Sequence, residues 1–394
     1  MTKKWVNIAD VLFFQEGPGV RNTQYTTSGV KLLNVANLVD GKVDLSKSDR
    51  YISEEEAYGK YRHFLCDDGD FVIASSGIKV EYIDKKMGFV DASMLPLCMN
   101  TSTIRFKVLD ENQLRIRYFM YYLKSKHFKE QLTKQITGSA QLNYGPSHLK
   151  KMIMPLIDIT VQDEIISCMD KLQSIIETRQ RELIELDRLM KARFVELFGD
   201  PRSNPFGFEK KMLKDTCKVI TGNTPSRAIA EYYGDYIEWI KTDNIVSGIL
   251  NPTQATESLS EKGMNVGRTV EKDSILMACI AGSIASIGRV CITDRIVAFN
   301  QQINAVVPEQ YNILFLYVLL QMSKDYLVED INMALKGILS KSKLEEKEFI
   351  IPPMDLQEQF SDFVKQVNKS KVAVQKALDE TQILFDSLMQ KYFG

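Results

Sequence analysis

Residues 194–199 read FVELFG, and residues 389–394 read MQKYFG. A shift of 195 positions superposes the two hexamers. The same shift sets Gln162-Asp163-Glu164-Ile165 over Gln357-Glu358-Gln359-Phe360. No gap is needed between these anchors, and both segments run 37 residues without Gly or Pro. Each is preceded by a proline-marked stretch, IMPLID at 153–158 and IIPPMD at 350–355. A proline pushes the residue before it out of helical geometry, so these prolines mark helix starts.

Steps of four and three along the first segment select Ile165, Met169, Leu172, Ile176, Arg179, Leu183, Leu186, Met190, Arg193 and Leu197. The same steps along the second select Phe360, Val364, Val367, Lys371, Val374, Leu378, Thr381, Phe385, Leu388 and Tyr392. Eight of ten positions are apolar in each set, and a period near 3.5 over five heptads reads as a coiled-coil seam. Two equal seams in one chain are explained by packing on each other. The two Phe-Gly endings are then one helix C-terminus occurring twice, with Gly as the stop.

The segments between the helices repeat more loosely. VKLLNVANLVDGKVD (30–44) matches IEWIKTDNIVSGIL (237–250) through Asn37/Asn244 and Gly41/Gly248. DGDFVIASSG at 68 matches EKDSILMACIAG at 271, and YFMYYLKSK (118–126) matches LYVLLQMSK (316–324). Ser147 and Leu149 correspond to Ser342 and Leu344. Short β-branched runs alternating with Gly, Asn and Asp turns predict mainly β domains with one or two short helices. The expected architecture is α+β: two mainly β domains in a pseudo-twofold arrangement, separated by two long antiparallel coiled-coil helices. The boundaries read as domain 1–152, helix 153–200, domain 201–350 and helix 351–394.

Hydrophobic content of 44% with 26% charge describes a globular chain rather than a disordered one. MTKKWVNIAD has no apolar core of a secretory signal, and the longest apolar run, ILFLYVLLQM at 313–322, is half a membrane span. A cytoplasmic protein without a membrane role is expected. Six scattered cysteines without a C-x-x-C pair suit reduced thiols, and three histidines make a histidine-rich metal centre improbable. Net charge is −1, yet residues 1–150 carry 21 Lys and Arg against 17 Asp and Glu, so DNA binding would use local patches.

Reaction chemistry is scarce. Neither Asn-Pro-Pro-Tyr nor Asp-Pro-Pro-Tyr occurs, and there is no Walker-type phosphate loop. GSIASIG (282–288) reads as a turn, and Asp200 with Glu209-Lys210-Lys211 reads as part of a linker rather than a nuclease site. A non-catalytic chain is expected, which disfavours a stand-alone DNA-modifying enzyme. A symmetric rod with two related, diverged surfaces fits a duplex whose groove repeats every ~34 Å. The alternative is a coiled-coil scaffold or assembly protein without a DNA role, against which the Asn-, Gln- and Thr-rich loops argue.

Those loops supply candidate contacts, because base edges are read by Arg, Lys, Asn and Gln, and phosphates by hydroxyls and amides. In the first half they are Arg21, Asn22, Gln24, Ser76, Lys79, Gln141, Asn143 and Tyr144. In the second they are Asn223, Thr224, Ser226, Arg227, Lys241, Thr242, Lys336, Ser340 and Lys341.

The chain resembles the specificity subunit of type I restriction–modification systems. LKDTCKVITGNTPS (213–226) followed by IEWIKTDNI (237–245) is similar to that family's domain opening of strand, Gly-x-Thr-Pro loop and strand. IPPMDLQEQF (351–360), MPLIDITVQDEI (154–165) and ELFGD (196–200) resemble its helical-region boundaries. The first half departs, with EGPGVRNTQY (16–25) in place of the Gly-x-Thr-Pro loop. The resemblance implies two target recognition domains reading an asymmetric bipartite site in double-stranded DNA, with the helix pair setting the spacer, in a bacterial or archaeal phage-defence system. It also implies two modification (methyltransferase) subunits and restriction (translocase and nuclease) subunits as partners. S-adenosylmethionine, ATP and Mg²⁺ would belong to those partners, leaving this chain without a cofactor.

The duplication generates a direct prediction. A chain stopped after Gly199 should dimerise through its single helix and bind a symmetric site. Sedimentation of the folded fragment as a monomer would rule out the antiparallel pairing.

Overall fold

The two heptad segments are helices of equal length, Ile159–Phe198 and Met354–Phe393, of 40 residues each. At 1.5 Å per residue each is about 60 Å long. The computed structural model describes residues 3–136, 144–329, 331 and 337–394. The first helix begins one residue after Asp158, whose carboxylate accepts from the Thr160 amide at 2.9 Å and is held below the usual carboxylate range by that residue's hydroxyl and amide. The second begins directly after Pro352-Pro353. At the far end of the first helix Gly199 adopts φ +71°, with its amide on the Val195 carbonyl at 2.8 Å. Glycine takes this left-handed stop without the strain of a Cβ.

The chain divides into two compact units, Met1–Glu177 with Asp379–Gly394, and Thr178–Leu378. Each therefore contains one globular portion, one long-helix start and the end of the other long helix.

In the first unit a four-stranded antiparallel sheet runs in the order Leu12–Glu16, Thr103–Val108, Phe71–Ala74, Met87–Phe89. In the second unit the order is Cys217–Thr221, Ile303–Pro308, Ile275–Ala278, Val290–Ile292. Each unit adds a further sheet containing one parallel pair, of three strands in the first unit and five in the second. Val30–Leu33 lies parallel to Leu97–Met99, and Ile237–Ile240 lies parallel to Val297–Phe299. Each also carries a two-stranded ribbon leading into its long helix, Lys4–Asn7 with Ile153–Leu156 and Lys210–Met212 with Glu348–Ile350. The two halves thus share the topology of the four-stranded sheet, the parallel pair and the ribbon, as the shift of 195 implied.

One short helix covers each four-stranded sheet, Ile116–Lys124 in the first unit and Ile313–Met322 in the second. Phe119 packs on Phe106 and Phe71, with ring centroids 5.0 and 6.4 Å apart. Phe315 to Leu320 are all buried, which explains why ILFLYVLLQM is apolar on every side. The other face of each short helix meets long-helix ends. Phe393 and Phe385 pack on Tyr118 and Tyr121 in the first unit, at 5.1 and 6.5 Å. In the second unit Phe194 and Phe198 pack on Phe315 at 5.7 and 4.8 Å, and on Phe360 at 5.6 and 5.5 Å.

The polar exceptions in the seam have partners. Lys371 reaches the Asp187 carboxylate and the Gly248 carbonyl, both at 2.7 Å, within the second unit. Arg179 pairs with Glu182 and Arg193 with Glu196, each at 2.8 Å along the same helix. Near the helix ends burial moves one position past the heptad. Phe194, Phe198, Met389 and Phe393 are buried, while Arg193, Leu197, Leu388 and Tyr392 are half-buried. There the helix faces a globular portion as well as its helical partner, so the apolar stripe widens.

The repeated glutamine of the two helix starts is buried in both copies. Gln162 accepts from the Arg115 amide at 2.9 Å and donates to the Gln113 and Ile157 carbonyls at 2.8 and 2.9 Å. Gln357 accepts from the Asn312 amide at 2.9 Å and donates to the Pro352 carbonyl at 2.8 Å. Arg115 and Asn312 are the N-caps of the two short helices. Among the described residues no helix is long and apolar enough to cross a membrane.

Removing this anchor leaves buried backbone groups unpaired. Gln357→Ala should lower the unfolding free energy by about 1–3 kcal/mol, whereas Glu358→Ala on the exposed side should stay within about 0.5 kcal/mol. Urea denaturation of the two variants measures the difference.

Candidate nucleic-acid interface

The strands Leu12–Glu16 and Phe71–Ala74 run toward the same end of the first sheet, and Thr103–Val108 leaves from it. Segments 17–25, 75–80 and 100–102 therefore meet there. The Gly17 amide donates to the Thr103 carbonyl at 2.9 Å, and the Ser75 amide donates to the Ser102 carbonyl at 2.8 Å. The second unit repeats this with segments 222–227, 279–288 and 300–302. The Gly222 amide donates to the Ile303 carbonyl at 3.0 Å, and the Cys279 amide donates to the Gln302 carbonyl at 2.8 Å. Most of the loop residues singled out in the sequence are thereby brought to one end of each sheet.

EGPGVRNTQY and TGNTPSR share a position despite their different sequences. A Cβ on Gly17 would lie 2.0 Å from the Asn100 carbonyl oxygen, and one on Gly222 would lie 2.1 Å from that of Asn300. Backbone passes over backbone at both places, which only glycine permits. The missing Thr-Pro in the first half thus replaces the loop's side chains and keeps its path.

The individual candidates fare differently. Arg21 and Asn22 are exposed at the loop tip. Gln24 is turned inward, donating to Glu56 at 2.6 Å and Tyr61 at 3.0 Å and accepting from the Arg21 amide at 3.0 Å. Ser76 bonds to Ser102 at 2.6 Å, and Lys79 is exposed without a side-chain partner among the described residues. Tyr144 must be reassigned to the core: it is 2% exposed, and its hydroxyl donates to the Ala74 carbonyl at 2.9 Å. Burial pushes that hydroxyl's pKa well up. Gln141, Asn143 and Lys336 lie outside the described residues.

In the second unit Asn223 donates to the Val266 carbonyl at 2.9 Å, and Thr224 bonds to Gln301. Ser226 is exposed. The Thr242 carbonyl accepts from Arg289 at 3.0 Å. Ser340 caps the helix Lys341–Glu345 by accepting from the Lys343 amide at 3.3 Å, and Lys341 pairs with Glu345 at 3.5 Å, so both have local structural work.

Arg227 and Lys241 come together on one carboxylate. Arg227 donates to Glu257 at 2.6 Å and Lys241 donates to it at 2.5 Å. The Arg227 guanidinium sits 4.5 Å from the Tyr233 ring centre and 5.2 Å from that of Trp239, and the Lys241 ammonium is also 5.2 Å from the Trp239 ring centre. Hydrogen bonds from Lys241 and then Arg227 hold the Glu257 carboxyl below its ordinary range. Sequence reasoning missed Glu257, because a lone Glu in ATESLS carries no signal of a partner 30 residues upstream. The first unit has its own cation–aromatic set, with Arg50 5.2 Å from the centre of Tyr25 and Lys31 5.3 Å from that of Tyr51. Lys31 pairs with Asp49 at 3.0 Å, which raises its pKa.

Two features set aside in the sequence have structural uses. Asp200 accepts from the Ser203 and Arg202 amides at 2.8 and 3.0 Å, closing the turn after the first long helix. Ile284–Ser286 within GSIASIG is a single 3-10 turn. Among the described residues no three His, Cys, Asp or Glu side chains converge as metal ligands would.

The family described as "Type I restriction modification DNA specificity domain" matches residues 18–188 and again 205–381. The chain belongs to this family. It is 34% identical over 149 residues to the HindI specificity subunit of Haemophilus influenzae, a stretch covering 36% of this chain and 31% of that subunit. It is 24% identical over 330 residues to the MjaIX specificity subunit of Methanocaldococcus jannaschii, covering 77% and 74% of the two chains. The fold is that of the type I S subunit from M. genitalium, with a TM-score of 0.60 at 15% identity over 100% of this chain and 96% of that one. A chain from a type I assembly structure gives 0.56 at 15% identity, over 99% and 97%.

The close approach at Gly222 generates a test. Gly222→Ala should drive the Asn223–Arg227 loop off the Phe299–Asn300 backbone, because its Cβ would also stand 2.5 Å from the Phe299 carbonyl oxygen. Urea denaturation should show a loss of more than about 1 kcal/mol, against a change within about 0.5 kcal/mol for Ser226→Ala at the exposed tip.

Proposed function

We propose that this chain is the DNA-reading subunit of a type I restriction–modification complex, each globular portion reading one half of an asymmetric bipartite site. The observation that carries the reading is the repeated topology with diverged loop ends. The same sheet end presents Arg21 and Asn22 in one unit, and Ser226 and Arg227 in the other. A shared backbone supports equivalent docking of the two halves, and different side chains support different half-sites. Residues 1–152 and 201–350 would be the two target recognition domains, with 153–200 and 351–394 as the helical regions between them.

The chain itself supplies hydrogen bonds and charge rather than reaction chemistry. Methyl transfer, ATP-driven translocation and cleavage fall to partners: two methyltransferase subunits and restriction subunits, carrying S-adenosylmethionine, ATP and Mg²⁺. Exposed apolar side chains on the long helices, among them Ile184, Leu189, Val372 and Ile383, are suited to a methyltransferase subunit. The complex would work in the cytoplasm of a bacterium or archaeon.

In this reading the helix pair sets the spacer between the half-sites. Inserting one heptad after Glu182 and a matching heptad after Gln375 adds about 10 Å to each helix without changing its phase. Sequencing of methylated adenines in cells carrying the complete system should show the spacer lengthened by about three base pairs, at ~3.4 Å each. A methylated site with its original spacer would refute the ruler.

A further inference from the structure

Arg227 is placed unlike an ordinary phosphate-binding arginine. Its guanidinium lies against Tyr233 and Trp239, and one terminal nitrogen is engaged by Glu257 at 2.6 Å. Its other N–H groups have no hydrogen-bond partner among the described residues, and 57% of the side chain is exposed. A guanidinium fixed on one edge by a carboxylate and on one face by aromatic rings presents its remaining donors in a set direction. Two such donors match two acceptors in one plane, and in the major groove the base edge offering that pair is guanine, through O6 and N7.

The carboxylate also sets what the site rejects. Glu257 is ionised at neutral pH, with its pKa held down by its two cations, and it stands where a backbone phosphate would draw in Arg227 and Lys241. A phosphate must displace it or approach against its charge. A guanine edge is neutral and can bind Arg227 while the Glu257 contact persists. Trp239 holds the loop in place, its indole N–H donating to the Asn223 carbonyl at 3.3 Å.

We propose that Arg227 reads a guanine in the half-site of the second unit, and that Glu257 is the positioning residue that aims it and bars it from the phosphate backbone. This rests on the reading of the chain as a DNA-recognition subunit.

The experiment is enrichment of duplexes from a pool of randomised sequence by the full chain, expressed with its modification subunits, as wild type, Arg227→Ala and Glu257→Gln. Wild type should demand guanine at one position of one half-site. Arg227→Ala should lose that demand alone, a change of about 5- to 150-fold in discrimination for a contact of about 1–3 kcal/mol. Glu257→Gln should weaken the demand at the same position and raise affinity for unselected duplex about three- to tenfold, as the release of two exposed ion pairs allows. If Arg227→Ala weakens all sequences alike, Arg227 is a phosphate contact and the proposal falls. A guanine preference undiminished in Glu257→Gln removes the role given to the carboxylate. Failure of the wild type to enrich any sequence would instead overturn the recognition reading itself, and the proposal with it.

Discussion

The buried carboxamides of Gln162 and Gln357 are the constraint on which each unit depends. Neither is exposed to water, so their oxygens and nitrogens must find protein partners, and an unmade bond there would cost more than a made one contributes. In both copies the oxygen takes the N-cap amide of the short helix covering the sheet, and the nitrogen takes the carbonyl five residues before the glutamine itself. One side chain therefore joins the long-helix start, the ribbon leading into it and the sheet's covering helix. The aromatic ends Phe393 and Phe198 close the opposite face of those covering helices. The second of these, Ile313–Met322, is apolar all round and is buried only by both contacts together. The globular portions and the long helices are accordingly parts of the same hydrophobic cores.

With that framework held, the loops at the sheet ends are free to differ. Gly17 and Gly222 preserve a crossing of backbone over backbone, and the residues immediately after them share nothing. The cation–aromatic sets show the same division. One unit uses Arg50 on Tyr25 and Lys31 with Asp49; the other uses Arg227 on Tyr233 and Trp239 with Glu257. A side chain at a loop tip alters no core packing, so exchange there changes what is recognised without a stability penalty. Burial also pushes the thiols of Cys66, Cys98, Cys217, Cys279 and Cys291 up to about 12. None of the five is a thiolate near neutral pH, and they serve as small apolar side chains.

What was legible in the sequence was whatever repeats or has a period. The heptads, the helix stop at Gly199, the paired glutamines and the matched strands 71–74 and 275–278 all carry local signals that survive duplication. The sheets with a parallel pair were less visible, because the pairing of Val30–Leu33 with Leu97–Met99 joins segments more than 60 residues apart. Tyr144 was misread for a related reason. Its neighbours Gln141 and Asn143 make the segment look like a surface loop, while the ring fills a core position that only the tertiary fold creates. Glu257 was invisible as well, since a carboxylate's partners are set by strand pairing and not by spacing. Loop membership could thus be read from composition, whereas side-chain direction within a loop could not.

The polar positions in the helical seam follow the same logic. A seam of apolar residues alone specifies contact but tolerates slippage between alternative registers, and a buried polar residue removes that tolerance. Lys371 does so with two bonds of different kinds, to Asp187 on the other long helix and to the Gly248 carbonyl in the globular portion of the second unit. Gly248 stands at φ +82° in the turn following the segment that carries Lys241 and Thr242. A one-residue slip would rotate Lys371 by about 100° around its helix, since 3.6 residues make a turn. It would then lose both partners together. That one ammonium group therefore ties helix register to loop placement in the second unit, which makes the break in the heptad at Lys371 as informative as the heptad itself.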